Sequence, residues 1–247
     1  MRQDAVGTPH GAPIPDVPAV EPTADVASIT LGDIQSDPQL SMFIASADRV
    51  MDAMGYTEHG FRHAHLVGKI AYQVLKRLGF SQREAELARV AGYLHDMGNA
   101  LTRDGHGQSG AILAYEALRE RTDGADLMLI MAAIANHEEA EGSAVSPVSA
   151  AVILADKADV HRSRVRRPTD VDLSGDIHDR VNYAVEQSFL RVDSDARTVS
   201  LELTIDTKIS QVMEYFEIFL GRMQLCRHAA MAIDATFHLF ANGQELA

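Results

Sequence analysis

The sequence predicts a mainly α protein: a helical bundle over residues 29–167, followed by a small C-terminal α+β element made of a β-hairpin and a long helix. Three observations support this fold class. Apolar residues recur at i, i+3 and i+4 intervals through the central region, residues that start and end helices separate these stretches, and alternating β-forming residues occur only after Pro168. With 46% hydrophobic residues among 247, the chain can bury a sizeable core.

Three regions are expected along the chain. Residues 1–28 hold five of the eight prolines and few large apolar groups, which predicts a flexible N-terminal tail. This stretch also lacks the basic and apolar segments of a secretory signal, so export is not expected. Residues 29–167 are expected to form the helical domain, and residues 168–247 a C-terminal extension packed on it.

The predicted helices of the bundle have recognisable ends. The apolar stripe from Leu66 to Leu78 ends at Gly79, and Ser81 begins the next helix with a capping box. That next helix is expected to carry His95 and Asp96 on its last turn. Three more helices are predicted, each after a capping serine or aspartate: Ala111–Arg119 after Ser109, Ala125–Asn136 after Asp123, and Val148–His161 after Ser146.

The C-terminal extension has a different pattern, in which short stretches of β-forming residues alternate with helical ones. The predicted elements are a short helix over Asp176–Gln187, strands Phe189–Val192 and Thr198–Ile205 around the turn Asp193–Arg197, a long helix through Ile209–Met223, and a third strand Thr236–Ala241. The long helix carries an apolar stripe of Phe216, Phe219, Leu220, Met223 and Cys226. This stripe is expected to pack in the core or against a second copy of the chain in a homodimer.

Charge and cysteine content limit the partners and the compartment. The chain has 22 Lys+Arg against 35 Asp+Glu, a net charge of −13, which repels nucleic acid and anionic lipid over the surface as a whole. One cysteine cannot form an internal disulfide, and no apolar run approaches the length of about 18 residues that a membrane helix needs. A cytoplasmic protein with neither a membrane nor a nucleic-acid partner is expected.

Histidines and aspartates occur near the ends of several predicted helices: His63, His95, Asp96, His106, His137 and Asp156. A metal site within a helical bundle needs ligands from several elements, because one helix cannot surround an ion. The adjacent pair His95-Asp96 is the most informative, since two ionisable groups at the end of an apolar helix are costly to bury unless a metal or a counter-charge meets them. Imidazole and carboxylate ligands suit divalent Mn, Fe, Co, Ni, Zn or Mg, which this ligand type does not distinguish.

Three segments carry a more specific pattern: EHGFRHAHLVGKIA around His63, AGYLHDMGN around the His95-Asp96 doublet, and AVILADKADVHRSRVR around Asp156. Over about residues 50–167 the chain resembles the HD-domain superfamily of metal-dependent phosphohydrolases, whose signature is an H…HD…D pattern on a helical core. The resemblance implies an HD-type helical bundle in which these four residues bind a divalent metal. It also implies that Asp96 both ligates the metal and orients the attacking water.

Two further segments, HGQSGA at His106 and IANHEE at His137, resemble the additional histidines of HD proteins that hold two metals, so one or two ions are expected. Two departures from the family patterns matter. Asn99 stands where many relatives carry a lysine, so another residue must supply the cation that holds phosphate. The residues after His137 also lack the Gly-Tyr-Pro signature of the branch that cleaves cyclic dinucleotides, which argues against that substrate.

A basic run follows Asp156 and is the candidate for binding an anionic substrate. Residues 157–167 hold five cations against one carboxylate in a chain that is otherwise acidic. Lys157 is the preferred phosphate contact and the second candidate catalytic residue, and Arg162 and Arg164 could form two-pronged hydrogen bonds to phosphate oxygens. The alternative is a solvated helix end, where cations are favoured by the helix dipole.

Together these features favour a phosphohydrolase that cleaves a phosphomonoester or phosphodiester with metal-activated water. The small phosphorylated substrate that the resemblance implies is a nucleotide. Two alternatives use the same ligands: a non-catalytic nucleotide-sensing HD module, for which the departure at Asn99 is an argument, and a di-iron HD-fold oxygenase.

Overall fold

The computed structural model describes residues 29–139, 142–166 and 177–246. The predicted tail of residues 1–28 lies outside the described residues, and so does the predicted boundary between the helical domain and the extension at residues 167 and 168.

The predicted fold class is confirmed: a helical bundle precedes a small sheet and a long helix. The helices of the bundle are α1 (Leu31–Gln35), α2 (Pro38–Ala53), α3 (Phe61–Arg77), α4 (Gln82–Leu94), α5 (His106–Leu118), α6 (Gly124–Ala135) and α7 (Pro147–Lys157), with a short 3₁₀ turn at Met97–Ala100. The predicted caps at Ser81, Asp123 and Ser146 are each present, with side-chain oxygens accepting hydrogen bonds from the first turns of α4, α6 and α7.

Close packing of α3 on α4 brings candidate ligands from the two helices together. Gly68 and Gly92 lie at the contact, and a Cβ atom on Gly68 would be 2.7 Å from the carbonyl oxygen of Arg89. The absence of side chains there lets the two backbones approach. As a result His63, near the start of α3, lies beside His95, which follows α4 directly.

The start of α5 differs from the prediction. The helix begins at His106, five residues before the predicted Ala111, because Gly105 adopts a left-handed conformation with φ 69° and turns the chain directly into the helix. Ser109 therefore lies inside the helix and does not cap it; its hydroxyl donates to the carbonyls of Gly98 and His106. A Cβ atom on Gly98 would lie on the carbonyl oxygen of His106, so this glycine permits the contact between the 3₁₀ turn and α5.

The C-terminal extension contains α8 (Ile177–Ala184), β1 (Val185–Asp193), β2 (Thr198–Ile205), α9 (Val212–Ala232), β3 (Thr236–Ala241) and β4 (Gln244–Glu245). The sheet order is β1-β2-β3-β4, with β2 and β3 parallel and the other pairs antiparallel. The helix predicted through Gln187 ends at Ala184, because Val185 already pairs with Ile205 in the hairpin. The strand β4 was not predicted.

The long helix α9 packs against α7 of the bundle and against β3. Within the predicted apolar stripe, Phe219, Met223 and Cys226 are buried in the core, whereas Leu220 is 52% exposed. Packing within the chain therefore accounts for most of this stripe. In the part of the chain that the structure describes, no helix combines the length and the apolar character needed to cross a membrane.

Candidate metal centre

Seven ionisable side chains from five segments of the bundle converge at one place. They are the six residues that the sequence indicates as candidate ligands, His63, His95, Asp96, His106, His137 and Asp156, together with Glu138. The four histidines and Asp96 are buried, and the side chain of Asp156 is only 11% exposed. Helix starts supply two of these residues, and the ends of helices or the turns that follow them supply the rest.

The inner half of the centre consists of His63, His95 and Asp156 together with Oδ2 of Asp96. The Nε2 atoms of His63 and His95 are 3.2 Å apart, and each lies within 3.5 Å of Oδ1 of Asp156. Oδ2 of Asp96 lies 3.4 Å from His63 Nε2 and 3.2 Å from His95 Nε2. Four potential ligand atoms therefore surround one position.

The outer half consists of His106, His137 and Glu138 together with Oδ1 of Asp96. The Nε2 atoms of His106 and His137 are 3.0 Å apart, and His106 Nε2 is 3.3 Å from Oε2 of Glu138. Oδ1 of Asp96 is 3.4 Å from His106 Nε2 and 3.7 Å from His137 Nε2. Asp96 thus offers one carboxylate oxygen to each half.

The orientation of the imidazoles fits metal binding. The Nδ1 atoms of His95, His106 and His137 lie 2.6 to 2.9 Å from the backbone carbonyls of Gly92, Arg103 and Ile134. A carbonyl only accepts hydrogen bonds, so each Nδ1 carries the proton and each Nε2 presents its lone pair to the centre. This is the arrangement of histidine ligands in metal sites. The donor set therefore fits one or two divalent ions.

His63 is held by a carboxylate instead of a carbonyl. Its Nδ1 lies 2.7 Å from Oδ2 of Asp159, a buried residue that the sequence analysis did not single out. Arg62 donates to both oxygens of Asp159, at 3.2 and 2.8 Å, which fixes the carboxylate in place. Despite burial, hydrogen bonding to His63 and the charge of Arg164 keep the pKa of Asp159 well below its usual range. Asp159 is therefore an anion that orients His63.

The two halves differ in their affinity for protons. Burial lowers the pKa of His63, but its contacts with three aspartates outweigh that effect and raise the pKa to about 9. For His95, Asp96 and Asp156 likewise outweigh burial and raise the pKa to about 10. In the outer half burial dominates and lowers the pKa of His137 to about 4. Protons and divalent cations therefore compete for the same lone pairs, most strongly in the inner half.

Lys157 lies behind Asp156, on the side away from the histidines. Its ammonium is 2.8 Å from Oδ2 of Asp156 and 3.2 Å from Oε2 of Glu139, and the residue is only 3% exposed. Arg222 of α9 pairs with the other oxygen of Glu139 at 2.5 Å. The C-terminal extension is thus connected to a candidate ligand through three successive ion pairs, Arg222 to Glu139, Glu139 to Lys157 and Lys157 to Asp156. The predicted contact of Lys157 with phosphate stays a prediction.

The two arginines predicted to bind phosphate have other partners. Arg162 pairs with Glu186 at 3.0 Å. Arg164 is buried and donates to the carbonyls of Glu58 and Asp159. Among the described residues, neither arginine contacts a candidate metal ligand, and their role as phosphate contacts also stays a prediction.

Arg103 is a cation that the sequence analysis missed, and it lies at the mouth of the outer half. Its Nη2 is 3.4 Å from Oε2 of Glu138, and its Nη1 is 3.3 Å from Oδ1 of Asn99. The amide of Asn99 in turn donates to Oδ1 of Asp96 at 3.0 Å. Asn99 therefore holds Asp96 on one side and Arg103 on the other.

A cavity of about 310 Å³ opens onto the outer half. Its walls include Arg103, His106, Gln108 and Glu138. The inner half contributes no residue to these walls, so within this cavity a molecule from solvent meets the outer half of the centre.

Comparison with known families identifies the part of the chain in which the site lies. The family model described as the HD domain matches residues 60–162, which contain all seven converging residues and Asp159. The match confirms over that range the resemblance drawn from the sequence. No curated protein sequence matches the chain.

Four contributors to the centre were not found from the sequence: Glu138, Asp159, Arg103 and Glu139. Glu138 follows His137 directly, as Asp96 follows His95, so its adjacency was a usable signal. Asp159 lies three residues after Asp156, just past the end of α7, and was counted only as a charge within the basic run. Arg103 and Glu139 owe their position to loop conformation, for which the sequence carries no comparable signal.

Proposed function

We propose that the chain is a metal-dependent phosphohydrolase that cleaves a phosphomonoester or phosphodiester, with a nucleotide as the implied substrate. The observation that carries the proposal is the shared carboxylate of Asp96 between two sets of ligand atoms within a matched HD domain. Bound divalent ions would supply Lewis acidity, which favours deprotonation of water near neutral pH and offsets negative charge on the phosphoryl group.

Different residues would bind the metal ions, admit the substrate and orient the attacking water. His63, His95, Asp96 and Asp156 would hold one ion, and His106, His137 and Glu138 would hold a second with the other oxygen of Asp96. A substrate phosphate would approach through the cavity beside the outer half. Asp96, fixed by the amide of Asn99, would orient the attacking water from between the two halves.

We assign the phosphate-binding cation first to Arg103. Its guanidinium lines the cavity and can form two parallel hydrogen bonds to phosphate oxygens. Lys157 is the second candidate, because its ammonium is close to Asp156, but two carboxylates already bind it. Arg162 and Arg164 do not line this cavity, which places them behind Arg103 as candidates.

The experiment that tests the proposal is metal analysis of the protein purified without added metal, followed by a panel of phosphatase and phosphodiesterase substrates. We expect one or two divalent ions per chain and phosphate release from at least one nucleotide. The matched pair of variants is His63→Ala and His65→Ala, since both histidines lie on α3 but His65 is exposed and binds Gln35. Only His63→Ala should lose metal and turnover.

Three results would contradict the proposal. Two irons with no phosphate release from any substrate would favour the oxygenase. Metal and nucleotide binding without turnover would favour the sensing module. Equal loss in His63→Ala and His65→Ala would mean that the observed activity does not depend on this centre.

A further inference from the structure

A second cavity, larger than the one at the metal centre, lies between α3 and the strand β1 of the extension. Its volume is about 530 Å³, within the range of sites for small molecules. None of the seven candidate metal ligands lines it. It therefore lies beside the proposed active site and shares with it only the supporting residues Arg62 and Asp159.

The cavity is basic, although the chain as a whole carries a net charge of −13. Its walls include Arg62, Lys69, Arg77 and Arg191 against the single carboxylate of Asp159. That carboxylate is already neutralised by its two hydrogen bonds from Arg62. The wall thus carries an excess of positive charge.

Two of these cations are available to a ligand. Arg191 pairs with Glu202, and Arg62 with Asp159 and Glu58. Lys69 and Arg77 are exposed on α3, and within the described ranges neither has a hydrogen bond or an ion pair. Their Cα atoms are about 12 Å apart along the helix, so the two long side chains can reach one anionic group between them.

Much of the remaining wall is apolar, although Gln73, His161 and Ser188 also line the cavity. The apolar part is built by the side chains of Leu66, Ile70 and Val74 from α3 and Phe189, Leu190 and Val192 from β1. Phe189 is 58% exposed, and the guanidinium of Arg191 lies 5.4 Å from the centre of its ring, so the exposed aromatic surface lies beside a cation. An apolar wall beside unpaired cations matches a ligand with an apolar body and an anionic end.

We propose that this cavity binds a small amphipathic anion, a single molecule with an acyl or aryl body and one phosphate or carboxylate group. The apolar body packs against Phe189 and the α3 side chains, and the anionic group binds Lys69 and Arg77. Both parts contribute, because neither burial of the body nor an exposed charge pair alone supplies strong binding. The proposal does not depend on the proposed phosphohydrolase activity.

The test uses calorimetric titration of the full chain with decyl phosphate below its micelle concentration. Decyl maltoside has the same apolar chain without charge, and inorganic phosphate has the charge without the chain. We expect one saturable site for decyl phosphate and binding at least about 10-fold weaker for either control. Because phosphate could also bind at the metal centre, the titration is repeated on metal-free Asp96→Ala protein, in which the affinity should be unchanged.

Variants locate the site. The double variant Lys69→Glu/Arg77→Glu should weaken decyl phosphate binding by about 10-fold or more. Lys76→Glu is the matched control, since Lys76 is exposed on the same helix but does not line the cavity, and it should bind as the unaltered chain does. Phe189→Ser should weaken binding, whereas Ile112→Ser, at another exposed apolar position, should not.

Four results would overturn the proposal. These are equal binding of decyl maltoside, unchanged binding in the charge-reversal variant, equal loss in Lys76→Glu, and loss of binding in Asp96→Ala. Co-sedimentation with phosphatidylglycerol vesicles but no binding of monomeric decyl phosphate would instead indicate a membrane surface as the partner, and would also reject a site for a single molecule.

Discussion

The inner and outer halves of the metal centre are built differently, although they share Asp96. In the inner half, His63 is held by the carboxylate of Asp159, and Asp156 is held by Lys157. In the outer half, both histidines are held at Nδ1 by backbone carbonyls, Nη1 of Arg103 lies 3.4 Å from the ring nitrogens of His106, and the side chain of Glu138 is 30% exposed beside a cavity. The inner half is therefore the more enclosed of the two, and the outer half borders a cavity.

The difference follows from the basicity of the histidines. A carboxylate partner on Nδ1 increases the electron density at Nε2 and strengthens its bond to a metal more than a carbonyl partner does. Each half has a cation beside its own carboxylate, Lys157 beside Asp156 and Arg103 beside Glu138, so the carboxylate of Asp159 on His63 is the feature that distinguishes them. We therefore expect the inner half to bind its ion more tightly than the outer half does.

The largest effect is expected from Asp96→Ala, because this residue serves both halves. The variant should lose both ions and fall to background turnover while keeping the helical fold, since the bundle has its own apolar core. Plasma emission measures the metal and circular dichroism the helix content. Asp195→Ala, in the exposed hairpin turn, is the control and should keep both ions. Full metal occupancy in Asp96→Ala would show that the centre is wrongly assigned.

The second largest effect expected is the loss of one of the two ions when a histidine of one half is replaced. His106→Ala and His137→Ala should each lower the metal stoichiometry by about one, with the inner ion retained by the four signature residues. His63→Ala should instead remove the tighter-binding ion. Unchanged stoichiometry in both outer variants would reduce the centre to a mononuclear one and would remove the basis for the comparison of halves.

Much of this centre could be predicted from the sequence because its ligands occupy helix ends. Capping residues and apolar periodicity mark those ends, as for His95 and Asp96 after α4. Ligands at neighbouring helix ends on the same side of a bundle lie close together and therefore form one cluster. The fold class could also be predicted, because the apolar periodicity of each helix is a local property of the sequence.

The residues that the sequence did not reveal depend on long-range contacts. The pairing of Asp159 with His63 joins residues 96 positions apart, and that of Arg222 with Glu139 joins the extension to the bundle. The predicted start of the first strand, at Phe189, was wrong. The strand β1 begins at Val185, because strand pairing with Ile205 overrides the local helix propensity there. Such contacts leave no periodic signal in one segment.

A moderate loss of kcat/KM is expected when either candidate phosphate-binding cation, Arg103 or Lys157, is replaced, and metal content distinguishes their roles. Arg103→Ala should lower kcat/KM by about 10- to 150-fold with normal metal content, since a charge-assisted hydrogen bond contributes about 1.5–3 kcal/mol. Lys157→Ala should give the same loss with normal metal content if its ammonium contacts phosphate. If Lys157 instead positions Asp156, metal affinity should fall, because the variant leaves buried carboxylates unpaired. Steady-state kinetics and metal analysis of both variants decide between these roles.

The smallest effect expected is that of Asp159→Asn, which keeps the shape of the residue that orients His63 but removes its charge. The asparagine oxygen can still accept a hydrogen bond from Nδ1, so His63 keeps its tautomer while its Nε2 becomes a weaker donor to metal. Loss of a supporting carboxylate typically costs about 10- to 100-fold in metal affinity, and retention of the hydrogen bond places this variant near the lower value.

This loss should be confined to the inner ion, because Asp159 has no contact with the outer half among the described residues. Competition with a chelator, monitored by metal content, separates the two affinities. Glu58→Gln is the matched control: Glu58 also pairs with Arg62 but does not touch His63. A comparable loss of metal affinity in Glu58→Gln would mean that the total charge around Arg62 sets this affinity, and not the contact of Asp159 with His63. A loss of the outer ion in Asp159→Asn would mean that the two halves bind metal as one unit, and the order of affinities argued from their supporting residues would not hold.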